Sequence, residues 1–394
     1  MNKEPVVRIQ SIDLLRGIVM VIMVLDHARD YFHADAFLYD PLDLTKTNVL
    51  LYFTRWITHF CAPVFVFLAG TSAFFVGRRK GIPELSMFLL TRGLWLVFLE
   101  LTVVNFGWFF NFKIPFIGLQ VIWAIGISMV ALSLLVRLPL KVIFSVGLIL
   151  VFGHNMLDGI HVTGSSFAAI VWSLLHDPNF FELGGGRSIF VAYPLIPWVG
   201  TIVLGYCFGT LYTNSFSTQH RKNILLYLGG GAILLFIVLR FANVYGDPAP
   251  WASQATPLST FLSFLNTTKY PPSLLYLLMT LGPSILFLAF TEREPSAVAR
   301  KVIVFGRVPM FYYLMHIYVL HSIAVVAAVA TGFPASSMVF NIWITMSPEL
   351  AGYGFGLGVV YLIWAAVVLL LYPICRMYER YKVANRQAVW LSYL

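Results

Sequence analysis

The chain has 394 residues, of which 59% are hydrophobic and only 11% charged, and its mean hydropathy is +0.82. Soluble domains carry roughly 25% charged residues, so this composition excludes a water-soluble enzyme and leaves no length for a soluble domain beside the apolar runs. The formal net charge of +9 lies in short basic blocks between those runs, which is a membrane-topology pattern and not a nucleic-acid surface.

Apolar stretches of about 18 residues or more mark candidate membrane helices. In chain order they fall near 12–32, 58–77, 86–106, 116–136, 140–157, 188–212, 223–245, 272–291, 302–327 and 354–375. The first run carries Asp13, Arg16, Asp26 and His27 and is followed by no small-residue cleavage site, so it reads as a retained span and not a signal peptide. The predicted fold is all-α: a polytopic transmembrane bundle of about ten to eleven spans forming a single domain over 1–394.

Lys and Arg set the orientation. With the N-terminus cytoplasmic, the inner segments hold Lys3 and Arg8; Arg78, Arg79 and Lys80; Arg137 and Lys141; Arg221 and Lys222; Arg293, Arg300 and Lys301; and Arg376, Arg380, Lys382 and Arg386. The opposite loops hold few basic residues, so the C-terminus is cytoplasmic too. The expected location is the cell (inner) membrane. The longest external loops are 33–57, 154–187 and 246–271. The second of these contains the amphipathic stretch SSFAAIVWSLLHD and then the turn GGGR. Cys61, Cys207 and Cys375 are widely separated inside apolar runs and read as small core residues, and no metal-ligand spacing is present.

Ionisable side chains within spans are costly and mark functional candidates. Asp13 and Arg16 lie one turn apart at one end of the first span, where they can pair. At the other end come Asp26, His27, Arg29 and Asp30. His27 and Asp30 are three residues apart, so a carboxylate can orient the imidazole. Arg16 and His27 are eleven residues apart, which puts them on one helix face roughly 16 Å apart along the axis. A donor whose anionic part is held at Arg16 would present its reactive end near His27. His33, His59, His316 and His321 fall near the same membrane level and suit a proton relay. HNMLDG, with His154 and Asp158, matches the HxxxDG pattern of soluble acyltransferases and places both residues at the external end of the fifth span.

The opening RIQSIDLLRGIVMVIMVLDHARDYF, followed by THFCAPVFVFLAGTSAFF, resembles the heparan-alpha-glucosaminide N-acetyltransferase-like membrane proteins of the transmembrane acyltransferase superfamily. LQVIWAIGISM, GHNMLDGI, YPLIPWVG, FLNTTKYPPSLLYLLMTLGP and GRVPMFYYLMHIYVLH look like the bacterial branch of that family, with the family's N-terminal core over roughly 7–215. The resemblance implies transfer of an acetyl or acyl group from cytoplasmic acyl-CoA to an amine or hydroxyl of an extracytoplasmic sugar. In the lysosomal relative an essential His lies in the loop after the first span, and His33 is the counterpart. In the wider superfamily an essential His ends the first span, and His27 fits that place.

These readings combine into a membrane acyltransferase. His27 or His33 acts as catalytic histidine, with Asp26 and Asp30 as orienting carboxylates. Arg16, Arg78, Arg79, Arg92 and Arg307 hold the phosphates of acetyl-CoA, because planar guanidinium groups suit phosphate. Candidate acceptor contacts are His59, Gln120, Trp123, His154, Asp158, Asn266, Lys269, Tyr270 and His316. The partners are the lipid bilayer and a carbohydrate acceptor, with a homodimer as the assembly considered and neither nucleic acid nor metal expected. A secondary transporter of a small sugar or anion is the rival reading, and a polymer-export partner without activity is a third. The alternation of basic loops predicts that cysteines placed at Thr218 and Ser296 are labelled only from the cytoplasmic side and those at Ser165 and Ser259 only from outside. Labelling of both sets from one side excludes the ten-span arrangement.

Overall fold

A computed structural model of the protein describes residues 9–385, 387, 388 and 391, and the orientation residues Lys3, Arg8 and Arg386 lie outside them. Helix α1 (Gln10–Phe32) is followed by α2 (Val49–Ile57), which leads through a 3-10 turn into α3 (Cys61–Lys80). Next come α4 (Ile82–Leu99), a π-helical stretch at Glu100–Val104, and α5 (Asn105–Phe109). Strand β1 (Phe116–Leu119), α6 (Val121–Leu135), α7 (Leu140–Gly153) and α8 (Phe167–Leu175) precede the hairpin strands β2 (Asn179–Gly184) and β3 (Arg187–Val191). The remainder is α9 (Leu195–Phe208), α10 (Thr218–Ala242), α11 (Pro257–Leu265), α12 (Leu274–Thr291), α13 (Ala297–Arg307), α14 (Pro309–Ala330) and α15 (Leu357–Ala384).

Among the described residues, eight helical stretches are long and apolar enough to cross a membrane. Helix α1, at 23 residues, has a length of about 35 Å and also suffices geometrically, but its charged residues lower its hydropathy. Helix α6 is apolar but has only 15 residues.

Three features differ from the sequence expectation. The protein is mostly helical but not all-α: β1 pairs in parallel with β3, and β2 pairs antiparallel with β3, in the order β1-β3-β2. The expected spans at 116–136 and 188–212 therefore begin as strands. Segments of four to six residues at the edge of an apolar run are too short for periodicity to separate from the helix beyond. The glycine turn at 184–186, with φ of 80°, 59° and 73°, closes the hairpin, because positive φ suits glycine. Finally, the expected span 302–327 is two helices, since Pro309 lacks an N–H and starts α14 as its first residue.

Helix α1 packs against α3, α13, α14 and α15. Without a hydrophobic force between helices in lipid, close packing of small residues drives their association. Gly17 of α1 faces the Val302 carbonyl of α13, and Gly306 of α13 faces the Asp13 carbonyl of α1, so that a Cβ on either glycine would overlap the opposing backbone. The α3–α9 seam is built the same way, from Gly70 and Gly205. Asp13 ties the α1–α13 seam together, because its carboxylate lies 3.3 Å from Arg16 and 3.5 Å from Arg307, and Arg307 also meets Glu379 of α15 at 2.6 Å. Gly306→Ala is expected to destabilise the folded protein by about 1–3 kcal/mol, read as a lower melting temperature in detergent. Gly230→Ala in α10, where nothing lies within 4 Å of an added Cβ, is expected to leave melting unchanged or raise it.

Candidate functional site

The face of α1 that carries Arg16 runs Arg16, Met20, Met23 and then His27, spacings of four, three and four residues that keep side chains on one stripe. Arg16, Met20 and Met23 line a cavity of about 240 Å³ between α1, α3, α4, α6 and the start of α14. Its walls are largely apolar, including Phe65, Leu89, Ile122, Ile125 and Met310, and its polar groups include Arg16, Ser72, Arg92 and Tyr313. Arg16 is held by Ser72 Oγ at 2.8 Å and the Gly306 carbonyl at 3.2 Å, as well as by Asp13. Tyr313 lies edge-on to the ring of His27, with centroids 6.4 Å apart. An apolar slot with a few convergent polar groups is the usual form of a small-molecule site.

His27 is half-buried, stacked on His316 and set edge-on against Trp108. Its Nδ1 lies 2.7 Å from His316 Nε2, while His316 Nδ1 lies 2.9 Å from the Tyr312 carbonyl. A carbonyl only accepts, so His316 Nδ1 carries the hydrogen, and in the neutral ring its Nε2 is the acceptor. His27 Nδ1–H therefore donates to His316. The lone pair of His27 is thereby fixed on Nε2. Helix α14 thus supplies, through His316, the hydrogen-bond partner of His27 for which the sequence reading looked to a carboxylate.

The carboxylates beside His27 are engaged elsewhere. Asp26 is bound by Arg29 and Arg55, each at 2.9 Å, and Asp30 by Arg29. His33 caps the end of α1. Being six residues after His27, it lies about 240° around the helix from it. His33 is buried, and burial holds its pKa below the ordinary histidine value. The two ring nitrogens of His321 face the Gly107 and Met338 carbonyls, each at 2.8 Å, and its Nδ1 also lies 3.3 Å from the Tyr31 hydroxyl.

The other sequence candidates divide between the cavity and places away from it. Arg92 lines the cavity, whereas Arg78 and Arg79 are exposed at the end of α3 and Arg307 is committed to Asp13 and Glu379. His154 is enclosed by the carbonyls of Leu150, Val151 and Pro272, and Asp158 bonds instead to His176 and Asn155. The HxxxDG residues His154 and Asp158 thus bond to separate partners and not to each other. Asn266 joins loops through the Leu42 carbonyl and Arg240. The Lys269 ammonium lies over the Tyr270 ring, 5.1 Å from its centroid, and His59 is fully buried with neither ring nitrogen hydrogen-bonded.

Gln120 and Trp123 open α6, and they lead to a residue that the sequence reading passed over. Glu100, at the π-helical stretch, is 1% exposed, and its Oε2 accepts the Trp123 N–H at 3.0 Å. The carboxylate thereby satisfies orphan amide groups at the α6 N-terminus beside cavity residues Val121 and Ile122. A lone acid in the apolar run LWLVFLELTVV is the signal that reveals it. Among the described residues, no three His, Cys, Asp or Glu side chains converge as a metal-ligand set.

The family model described as heparan-alpha-glucosaminide N-acetyltransferase, catalytic, matches residues 8–240. Among curated proteins, none matches the chain. The matched region is more than half of the chain and runs from α1 through most of α10, including Arg16, His27, Arg92 and most of the cavity wall. With its membrane-length helices, the chain belongs to the heparan-alpha-glucosaminide N-acetyltransferase catalytic family and is a multi-pass membrane acetyltransferase.

Proposed function

We propose that the protein moves an acetyl group from acetyl-CoA on the cytoplasmic face of the cell membrane to a hydroxyl or amine of an extracytoplasmic saccharide, with ten spans and both termini cytoplasmic. The observation that carries this reading is the single stripe on α1, with Arg16 beside the cavity at one end and the His27–His316 pair beyond its other end. Arg16 and Arg92 bind the donor's phosphates. The uncharged pantetheine arm occupies the apolar slot along Met20 and Met23, and the thioester reaches His27.

In the reaction, His27 Nε2 takes the proton of the attacking acceptor as the new bond to the acetyl carbonyl carbon forms. The C–S bond then breaks, and the proton passes from His27 to the departing thiolate, giving the acetylated acceptor and free CoA. An imidazole suits both proton transfers near neutral pH. His316 accepts from Nδ1–H throughout and stabilises the imidazolium at the intermediate stage.

His27→Ala is expected to lower acetyl transfer by about 10²–10⁴-fold, while acetyl-CoA still raises the melting temperature by linkage. His33→Ala retains activity. Full activity in His27→Ala together with loss in His33→Ala moves the chemistry to His33. His316→Ala is expected to lower kcat with little change in KM for the donor, because it removes only the orientation of the base.

Arg16→Ala tests the donor end. It is expected to weaken acetyl-CoA binding by roughly tenfold or more in a protein that is still folded. Unchanged binding, accompanied by a fall in melting temperature, restricts Arg16 to its contacts with Asp13, Ser72 and Gly306.

A further inference from the structure

Two acids are buried among the described residues, and they are treated differently. Asp13 is answered by Arg16 and Arg307. Glu100, 1% exposed, meets a backbone amide on one side and nothing on the other: Oε2 accepts the Trp123 N–H at 3.0 Å, and Oε1 has no hydrogen-bond partner. An isolated carboxylate at membrane depth is expensive. The positive end of α6 offsets part of that expense, but desolvation of a lone ion exceeds what a helix end contributes. A proton on Oε1 removes the charge and leaves a buried donor without an acceptor, which is itself unfavourable. The fold stops one hydrogen bond short here, and the missing partner is an acceptor.

The helix shows where that acceptor would sit. Leu89, Arg92, Leu96 and Glu100 are spaced by three, four and four residues, so they share one face. The first three line the cavity, as do Val121 and Ile122, which lead into Trp123. This stripe parallels the one on α1, since each runs from a guanidinium to a titratable group. Arg92 to Glu100 is about 12 Å along the axis, and Arg16 to His27 roughly 16 Å. Tyr313 links the two ends, because it lines the cavity and its ring centroid lies 6.4 Å from that of His27. The π-helical stretch that begins at Glu100 packs on α14, where the Tyr318 hydroxyl donates to the Val103 carbonyl at 2.7 Å. Such π-helical turns concentrate at functional sites.

A slot that ends in a base on one wall and an acid on the other suits an acyl group held between them. A thioester carbonyl oxygen is uncharged on arrival, so it enters an apolar slot readily. It gains negative charge as the nucleophile attacks, so a donor aimed at it binds the transition state more strongly than the ground state.

We propose that Glu100, protonated on Oε1, donates a hydrogen bond to the carbonyl oxygen of the donor's thioester and stabilises the oxyanion formed there. The proton stays on Glu100 throughout, so the proton path through His27 is unchanged. This rests on the acetyl-transfer reading for the identity of the reacting group.

The test uses the full chain purified in detergent, acetyl-CoA isotope-labelled at the acetyl carbonyl carbon, and D-glucosamine as acceptor probe. Infrared difference spectra are expected to show a protonated carboxyl band that is lost in Glu100→Gln and shifts when acetyl-CoA binds. The thioester carbonyl band is expected at lower frequency in the wild type than in Glu100→Leu. Glu100→Leu is expected to lower kcat about 10²–10³-fold with little change in KM for acetyl-CoA. Glu100→Gln keeps an oxygen for the Trp123 N–H and supplies an N–H donor, so its transfer rate is expected within roughly tenfold of wild type.

A carboxyl group that only caps α6 gives a lower melting temperature in Glu100→Leu and an unmoved thioester band, and that result overturns the proposal. An ionised carboxylate band in the wild type, or a Glu100→Gln protein as inactive as Glu100→Leu, overturns it as well. Should Glu100→Leu fail to fold, the wild-type acid band and its response to acetyl-CoA decide. Labelled glucosamine with a thioester band indifferent to Glu100 removes this contact and leaves acetyl transfer standing. A Glu100-dependent thioester band in a protein that labels no acceptor upholds the contact and sinks acetyl transfer instead.

Discussion

The structure depends on neutralising a highly charged helix inside a bundle of apolar ones. Helix α1 carries Asp13, Arg16, Asp26, Arg29 and Asp30, and charges at membrane depth persist only when paired or functional. Asp13 answers Arg16 and Arg307, and Arg307 in turn fixes Glu379 of α15. Asp26 answers Arg29 and Arg55, which brings α2 onto the other end of α1. The neighbours of α1 are therefore specified by charge at its two ends and by glycine contact between them. That specificity holds the Arg16 stripe against a cavity, and it holds His27 against a helix that arrives late in the chain.

Much of this was legible in one segment of sequence. The unusual charges of α1 marked it as the helix whose pairing the rest of the bundle must supply, and the eleven-residue interval from Arg16 to His27 put a cation and an imidazole on one face by helix geometry alone. The partner of His27 was not legible, because His316 is 289 residues away and no local period connects them. The carboxylates next to His27 were misleading for a related reason. Sequence neighbours suggested Asp26 and Asp30, but Arg29 binds both carboxylates, and Arg55 from another helix adds a second partner to Asp26. The partners of the HxxxDG residues were not legible either, since His154 bonds to the Pro272 carbonyl and Asp158 to His176, neither of which the spacing of the motif indicates.

The family match ends at residue 240, yet Tyr313 and His316 lie beyond it. The matched part supplies the stripe, most of the cavity wall and Arg92, while the C-terminal part supplies the rest of the wall and the group that sets the His27 tautomer. The candidate site thus draws on both parts of the chain.

The seam between α1 and α13 limits what can move. With Gly17 against Val302 and Gly306 against Asp13, the two backbones leave no gap into which either helix could tilt without breaking the Asp13–Arg307 pair. A rocking carrier needs such a gap, because it exposes one binding site alternately to each side. Under the proposed acetyl transfer the α1–α13 rail would stay fixed and the donor's flexible arm would be the part that reaches across. The length of that arm, rather than a tilt of α1 against α13, would then set the distance covered in each turnover.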